Sequence, residues 1–128
     1  MGRSTKPYND WIGWLTAVAL ATSVCLPYLV PSRSNAKLRA HFWVGYALAP
    51  AAFLHGWAIM KSGQARGASM AGTMLAAVAL ILLTVQAVLG WRLRRIAGPR
   101  RLAARRWHFA LMAVILFLVA CHVALVRW

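Results

Sequence analysis

Acidic residues are almost absent from this chain. Among its 128 residues the single carboxylate side chain is Asp10, against fifteen Lys and Arg. Asp10 precedes the first apolar block, so none of the blocks contains a carboxylate. A proton-coupled transporter usually needs an intramembrane carboxylate or a similar titrating group, and this absence weighs against that class. Charged residues make up 12% of the chain, about half the share of an ordinary soluble domain. Cysteine is scarce too. Cys25 and Cys121 both fall in apolar blocks without ligand spacing and read as inert core thiols. No Cys-x-x-Cys-His occurs, which excludes covalent c-type haem attachment.

What the chain does have is apolar sequence, 62% of all residues. It comes in four blocks, approximately 11–30, 41–60, 70–91 and 107–126. Each holds about 20 residues, enough to span a hydrocarbon core of roughly 30 Å. Short connections make neighbouring spans antiparallel. The expectation is an all-α, integral-membrane, up-down-up-down four-helix bundle over residues 1–128, one domain with no soluble part. The first block, preceded by Arg3 and Lys6, also resembles a signal peptide, with Ser34-Asn35-Ala36 as a weak cleavage site. Its apolar stretch exceeds a typical signal core, so it reads as a retained helix.

The net charge of +14 brings nucleic acid to mind. The distribution argues otherwise, because the basic residues sit at block ends, where positive charge sets topology, and not on one soluble surface. Trp11, Trp14, Trp57, Trp91, Trp107 and Trp128 fall near block ends as an interfacial aromatic belt. Trp43 and Tyr46 lie slightly further in, placed to anchor at the interface or to line a cofactor pocket. Arg33, Lys37 and Arg39, with the seven arginines between Arg92 and Arg106, put ten positive charges on one side. Arg3, Lys6, Lys61, Arg66 and Arg127 put five on the other. The positive-inside rule places the ten in the cytoplasm and both termini outside, in the periplasm for a bacterial inner-membrane protein.

The four histidines form two matched pairs. His41 and His55 are 14 residues apart, and so are His108 and His122. At about 100° per residue, 14 steps fall about 40° short of four turns, so both rings of a pair face nearly the same way, about 21 Å apart along the axis. Blocks 2 and 4 run parallel in the expected topology, which makes His41 level with His108 and His55 level with His122. Pro50 lies between the first pair, removes the bond to the Tyr46 carbonyl and modifies the 40° offset. Gly13, Gly45, Gly72 and Gly90 permit close approach of a helix or of a flat cofactor.

Polar rings in hydrocarbon are costly unless partnered. Haem iron supplies such a partner, since two axial imidazoles fill both of its open positions. Hydrogen bonding across helices is the alternative role for the four rings. A single tetrahedral zinc or copper site needs its ligands within a few ångströms, which the 14-residue separation prevents.

On these residues the chain resembles b-type di-haem cytochromes, a family that includes the cytochrome b subunit of bc complexes and small membrane electron carriers. The resemblance rests on the doubled His-x13-His spacing of His41, His55, His108 and His122 and covers nearly the whole chain. It implies two non-covalent haem b groups with bis-histidine iron, electron transfer across the bilayer and exchange with quinone. The chain lacks the family's Pro-Glu-Trp-Tyr quinol-oxidation motif, and the residue 14 before Gly90 is Ala76, so the flanking glycine pairs are unmatched. A small stand-alone or accessory cytochrome fits better than a bc-complex core.

Further candidates follow from that reading. Arg39, Arg105 and Arg106 lie near His41 and His108, suited to haem propionates or to headgroup topology. Each histidine should donate its second ring N–H to a carbonyl or hydroxyl that the sequence does not name. Gln86 is the most polar non-histidine residue deep in a span, fit to bond a quinone carbonyl, to glue helices or to meet a propionate. The expected role is electron transfer between the quinone pool and a redox partner. A membrane-anchor subunit of a larger dehydrogenase or hydrogenase, with or without haem, is the alternative.

Overall fold

A computed structural model describes residues 7–29, 36–62 and 69–127. They form four helices and no strand among the described residues: α1 (Pro7–Leu29), α2 (Ala36–Lys61), α3 (Met70–Leu93) and α4 (Pro99–Arg127). The chain is all-α, as its apolar blocks lead one to expect. It divides into two units, residues 1–64 and 65–128. Each is a helical hairpin, α1 against α2 and α3 against α4. Arg3, Lys6, Arg33, Arg66, Trp128 and most of the weak cleavage motif lie outside the described residues, as do the side chains of Lys37 and Arg127.

Helix ends follow local chemistry. Ser69 caps α3 from an extended conformation (φ −62°, ψ 138°), its hydroxyl accepting from the Gly72 N–H at 3.0 Å. Such a cap satisfies one of the amides a helix start leaves open. The α3–α4 turn closes through the Arg95 and Ile96 N–H groups on the Arg92 carbonyl, at 2.9 and 3.1 Å. Gly98 then takes φ +70°, a left-handed conformation that glycine adopts without steric cost. Pro99 follows at the start of α4, where its missing N–H costs nothing.

Two boundaries differ from the apolar blocks. Helix α2 starts at Ala36 and α4 at Pro99, well before His41 and Trp107. Hydropathy marks where lipid begins, whereas Arg and Ala continue a helix into the polar layer at little cost. Pro50 is accommodated inside α2.

The described threonine hydroxyls are satisfied locally. The hydroxyls of Thr16, Thr22, Thr73 and Thr84 each donate to the carbonyl four residues earlier, at 2.8–3.2 Å. That arrangement suits a medium without water. Large apolar side chains are turned outward: Trp43 is 72% exposed, Phe117 68% and Ile81 63%. The buried set among the described residues is small, Leu20, Ser23 and Leu48 in the first hairpin and Gly72, Ala79, Leu83, Gln86, Gly90 and Ile115 in the second. An apolar exterior on this scale marks a surface made for lipid. Three helices are long and apolar enough to cross a membrane: α2 from Arg39, α3, and α4 to Val126. The apolar part of α1, Trp11–Leu26, is shorter. The chain is thus a membrane protein, with three helices of spanning length among the described residues.

Candidate functional site

Every histidine lies against a small residue of the other helix in its own hairpin. In the first hairpin His41 Nδ1 is 2.9 Å from the Ser23 carbonyl and 3.3 Å from its hydroxyl. Ser23 is buried, 1% exposed, although it is polar. A carbonyl only accepts, so this contact places the proton on Nδ1 and the neutral ring's lone pair on Nε2. At the other end the His55 ring packs onto Gly13. A Cβ built there would lie 2.9 Å from His55 Cε1 and 3.2 Å from Nε2, closer than real side chains come. Glycine is what lets this ring lie flat on α1.

The second hairpin repeats the theme. His122 Nδ1 donates to the Gly72 carbonyl at 2.8 Å, giving the tautomer seen at His41. Gly72 is buried, and a Cβ there would meet the Ser69 hydroxyl at 2.9 Å and Val126 at 3.3 Å. The His108 ring faces Gly90, where a Cβ would be at an ordinary 3.5 Å from Cε1. Gln86, 4% exposed, donates from Nε2 to the His108 carbonyl at 3.0 Å. Its Oε1 is buried with no hydrogen-bond partner among the described residues.

For His41 and His122, two of the four rings, the acceptors left unnamed by the sequence are the Ser23 and Gly72 carbonyls. No glycine pair spaced by 14 flanks the histidines, in line with the sequence. Ser23 and Gly13 take that place in one hairpin, Gly90 and Gly72 in the other. The signal, a small residue opposite each histidine in an antiparallel pair, requires the helix register to be known. Gly45 was expected to admit a close neighbour, yet a Cβ there meets nothing within 4 Å. It lies one turn beyond His41 on the same face of α2 and leaves room beside that ring.

The remaining candidates separate. Gln86 joins His108, the helix-bridging role among its alternatives. Arg39, Arg105 and Arg106 are all exposed, and the Arg105 guanidinium lies 5.5 Å from the Phe109 ring centre. Trp43 is exposed on the first hairpin. Tyr46 stacks on Phe42 at 6.4 Å and 20°, and its hydroxyl is buried without a hydrogen-bond partner among the described residues. The thiols are free, but the core reading needs correction: Cys25 is exposed and Cys121 half-buried. Both lie on helices whose small cores are filled by other side chains, which leaves these thiols toward the outside. Among the described residues no three His, Cys, Asp or Glu side chains gather to hold a metal ion.

Comparison with known proteins adds nothing to this geometry: no family model, curated protein or solved structure matches the chain.

Proposed function

We propose that this chain is a di-haem b-type membrane cytochrome that carries electrons across the bilayer, between quinone and a redox partner. One observation carries the reading. His41 and His122 each commit Nδ1–H to a backbone carbonyl, at 2.9 and 2.8 Å, which directs the ring lone pair to Nε2. This is the tautomer and second-shell contact that a haem-ligating histidine uses. The residues fit the group in two further respects: small residues clear the imidazoles, and Gly45 leaves open surface beside His41.

In this assignment, which rests on the parallel spacing of the histidines, His41 and His108 hold one haem and His55 and His122 the other. Arg39, Arg105 and Arg106 supply cations for propionates, and Gln86 ties α3 to α4 through the His108 carbonyl. Haem, held by these four histidines, would supply a one-electron couple. The chain contributes ligands, burial and fixed charge around it. The bacterial inner membrane, with the arginine-rich turns in the cytoplasm and the termini in the periplasm, fits the count of basic residues.

The test is the purified full chain. Two haems per chain in a pyridine-haemochrome assay are expected, with a sharp Soret band and a reduced α band that titrate with potential. A colourless, folded protein after expression with ample haem overturns the proposal in favour of a haem-free anchor. Substrate flux in vesicles without any chromophore would instead make it a transporter.

A further inference from the structure

The arginines at the closed end of the second hairpin are more than topology needs. Seven lie between Arg92 and Arg106, and every one is exposed. The chain's sole acid is Asp10, so no carboxylate in residues 65–128 can neutralise them. The first turn of α4 holds Arg100 and Arg101 and no acidic residue. Cations at that end oppose the helix dipole, whose positive pole lies there. The fold therefore concentrates positive potential in a hairpin without an acidic side chain, and an external anion is suited to offset it.

The depth and spread of the arginines identify that anion. The Arg95 guanidinium stacks over Trp91 at 4.1 Å and that of Arg105 over Phe109 at 5.5 Å. Trp91 and Trp107 are both exposed, 44% and 72%, as rings at a membrane interface are. The arginines beside them thus stand at the level of lipid phosphates. Around α4, Arg100, Arg101, Arg105 and Arg106 cover about 240° of circumference at about 100° per residue. A protein partner would approach one side of the helix. Separate lipid headgroups can reach its arginines on every side that α3 leaves open, which suits such a spread.

We infer that this arginine collar is a binding site for anionic phospholipids, with guanidinium groups gripping their phosphodiesters in bidentate fashion. The inference shares Arg105 and Arg106 with the propionate assignment and rests otherwise on Arg95, Arg100 and Arg101, which that assignment does not use. The test uses the full chain in neutral detergent, offered equal amounts of phosphatidylglycerol and phosphatidylcholine, with retained lipid counted by native mass spectrometry. Phosphatidylglycerol is expected in excess by about tenfold, since each basic residue near the surface adds to the attraction. Replacing Arg100, Arg101, Arg105 and Arg106 together by Gln should bring the preference down to about twofold, while the same four changed to Lys keep most of it. Lys61→Gln, at the end of α2, should leave it intact. Equal retention of both lipids by the wild type, or an unchanged preference in the four-Gln variant, overturns the inference. Should the four-Gln variant lose its helical circular dichroism, a salt series on the wild type decides. The preference must fall several-fold between about 0.05 and about 0.5 M salt, and a salt-independent preference overturns the site. In a separate arm, inorganic phosphate is added to the protein in phosphatidylcholine nanodiscs. Thermal stabilisation equal to that from phosphatidylglycerol would make free phosphate the ligand and defeat the lipid assignment; stabilisation by the lipid alone supports it.

Discussion

His122 and Gly72, fifty residues apart in the chain, are joined by a 2.8 Å hydrogen bond from the imidazole Nδ1–H to the peptide carbonyl. The same glycine donates its own N–H to the Ser69 hydroxyl at 3.0 Å. One residue thereby links the cap of α3 to a histidine near the end of α4. Small size is required at Gly72, because an added methyl would lie 2.9 Å from that hydroxyl.

Ser69→Ala should therefore weaken the second hairpin by about 1 kcal/mol, the usual cost of a lost N-cap. Gly72→Ala should cost at least as much, because it displaces the same hydroxyl and crowds Val126. Unfolding free energies of the purified variants in detergent check both. A Gly72→Ala protein as stable as wild type would show that the cap and its neighbours yield freely.

Gly13→Ala and Gly90→Ala should differ. The new methyl meets the His55 ring at 2.9 Å in the first case and the His108 ring at 3.5 Å in the second. The first is an overlap that forces the ring to move, with overpacking costs of about 1–3 kcal/mol. The second is normal contact. The expected outcome is a clear fall in thermal stability for Gly13→Ala and almost none for Gly90→Ala. The reverse order, read from thermal melts, would contradict the packing described for both rings.

Gln86→Glu should be far worse than Gln86→Leu. At 4% exposure, a carboxylate at this position would be buried and unpaired, which is strongly penalised. The leucine change loses the bond to the His108 carbonyl but also removes the unpartnered Oε1. These terms offset, so its cost should stay within about 1 kcal/mol. Comparative unfolding of the two variants at neutral pH gives the answer.

His55→Ala and His122→Ala should each halve the haem content under the proposed ligand pairing and leave the remaining spectrum bis-histidine. Retention of both haems by either variant would refute the pairing. Pyridine-haemochrome stoichiometry, with circular dichroism to verify helicity, measures it.

The four helices could be read from the chain because each apolar block has the length of a span. Their true starts could not. Arg39 and the arginines from Arg100 to Arg106 look like connection on hydropathy, yet they continue α2 and α4 as helix. The polar neighbours of the histidines were equally hidden. Ser23 is an unremarkable serine in an apolar run until α1 is laid antiparallel on α2.

Composition and spacing by themselves determined a basic, lipid-facing, all-α chain with its histidines in two columns, because helix periodicity and hydropathy act along a single segment. Only tertiary structure decided that Ser23 and Gly72 receive the imidazole protons, that Gly13 must be glycine and that Gln86 meets the His108 carbonyl. Those choices depend on the register between two antiparallel helices. That register is set by side-chain packing between residues far apart in the chain, which local periodicity does not specify.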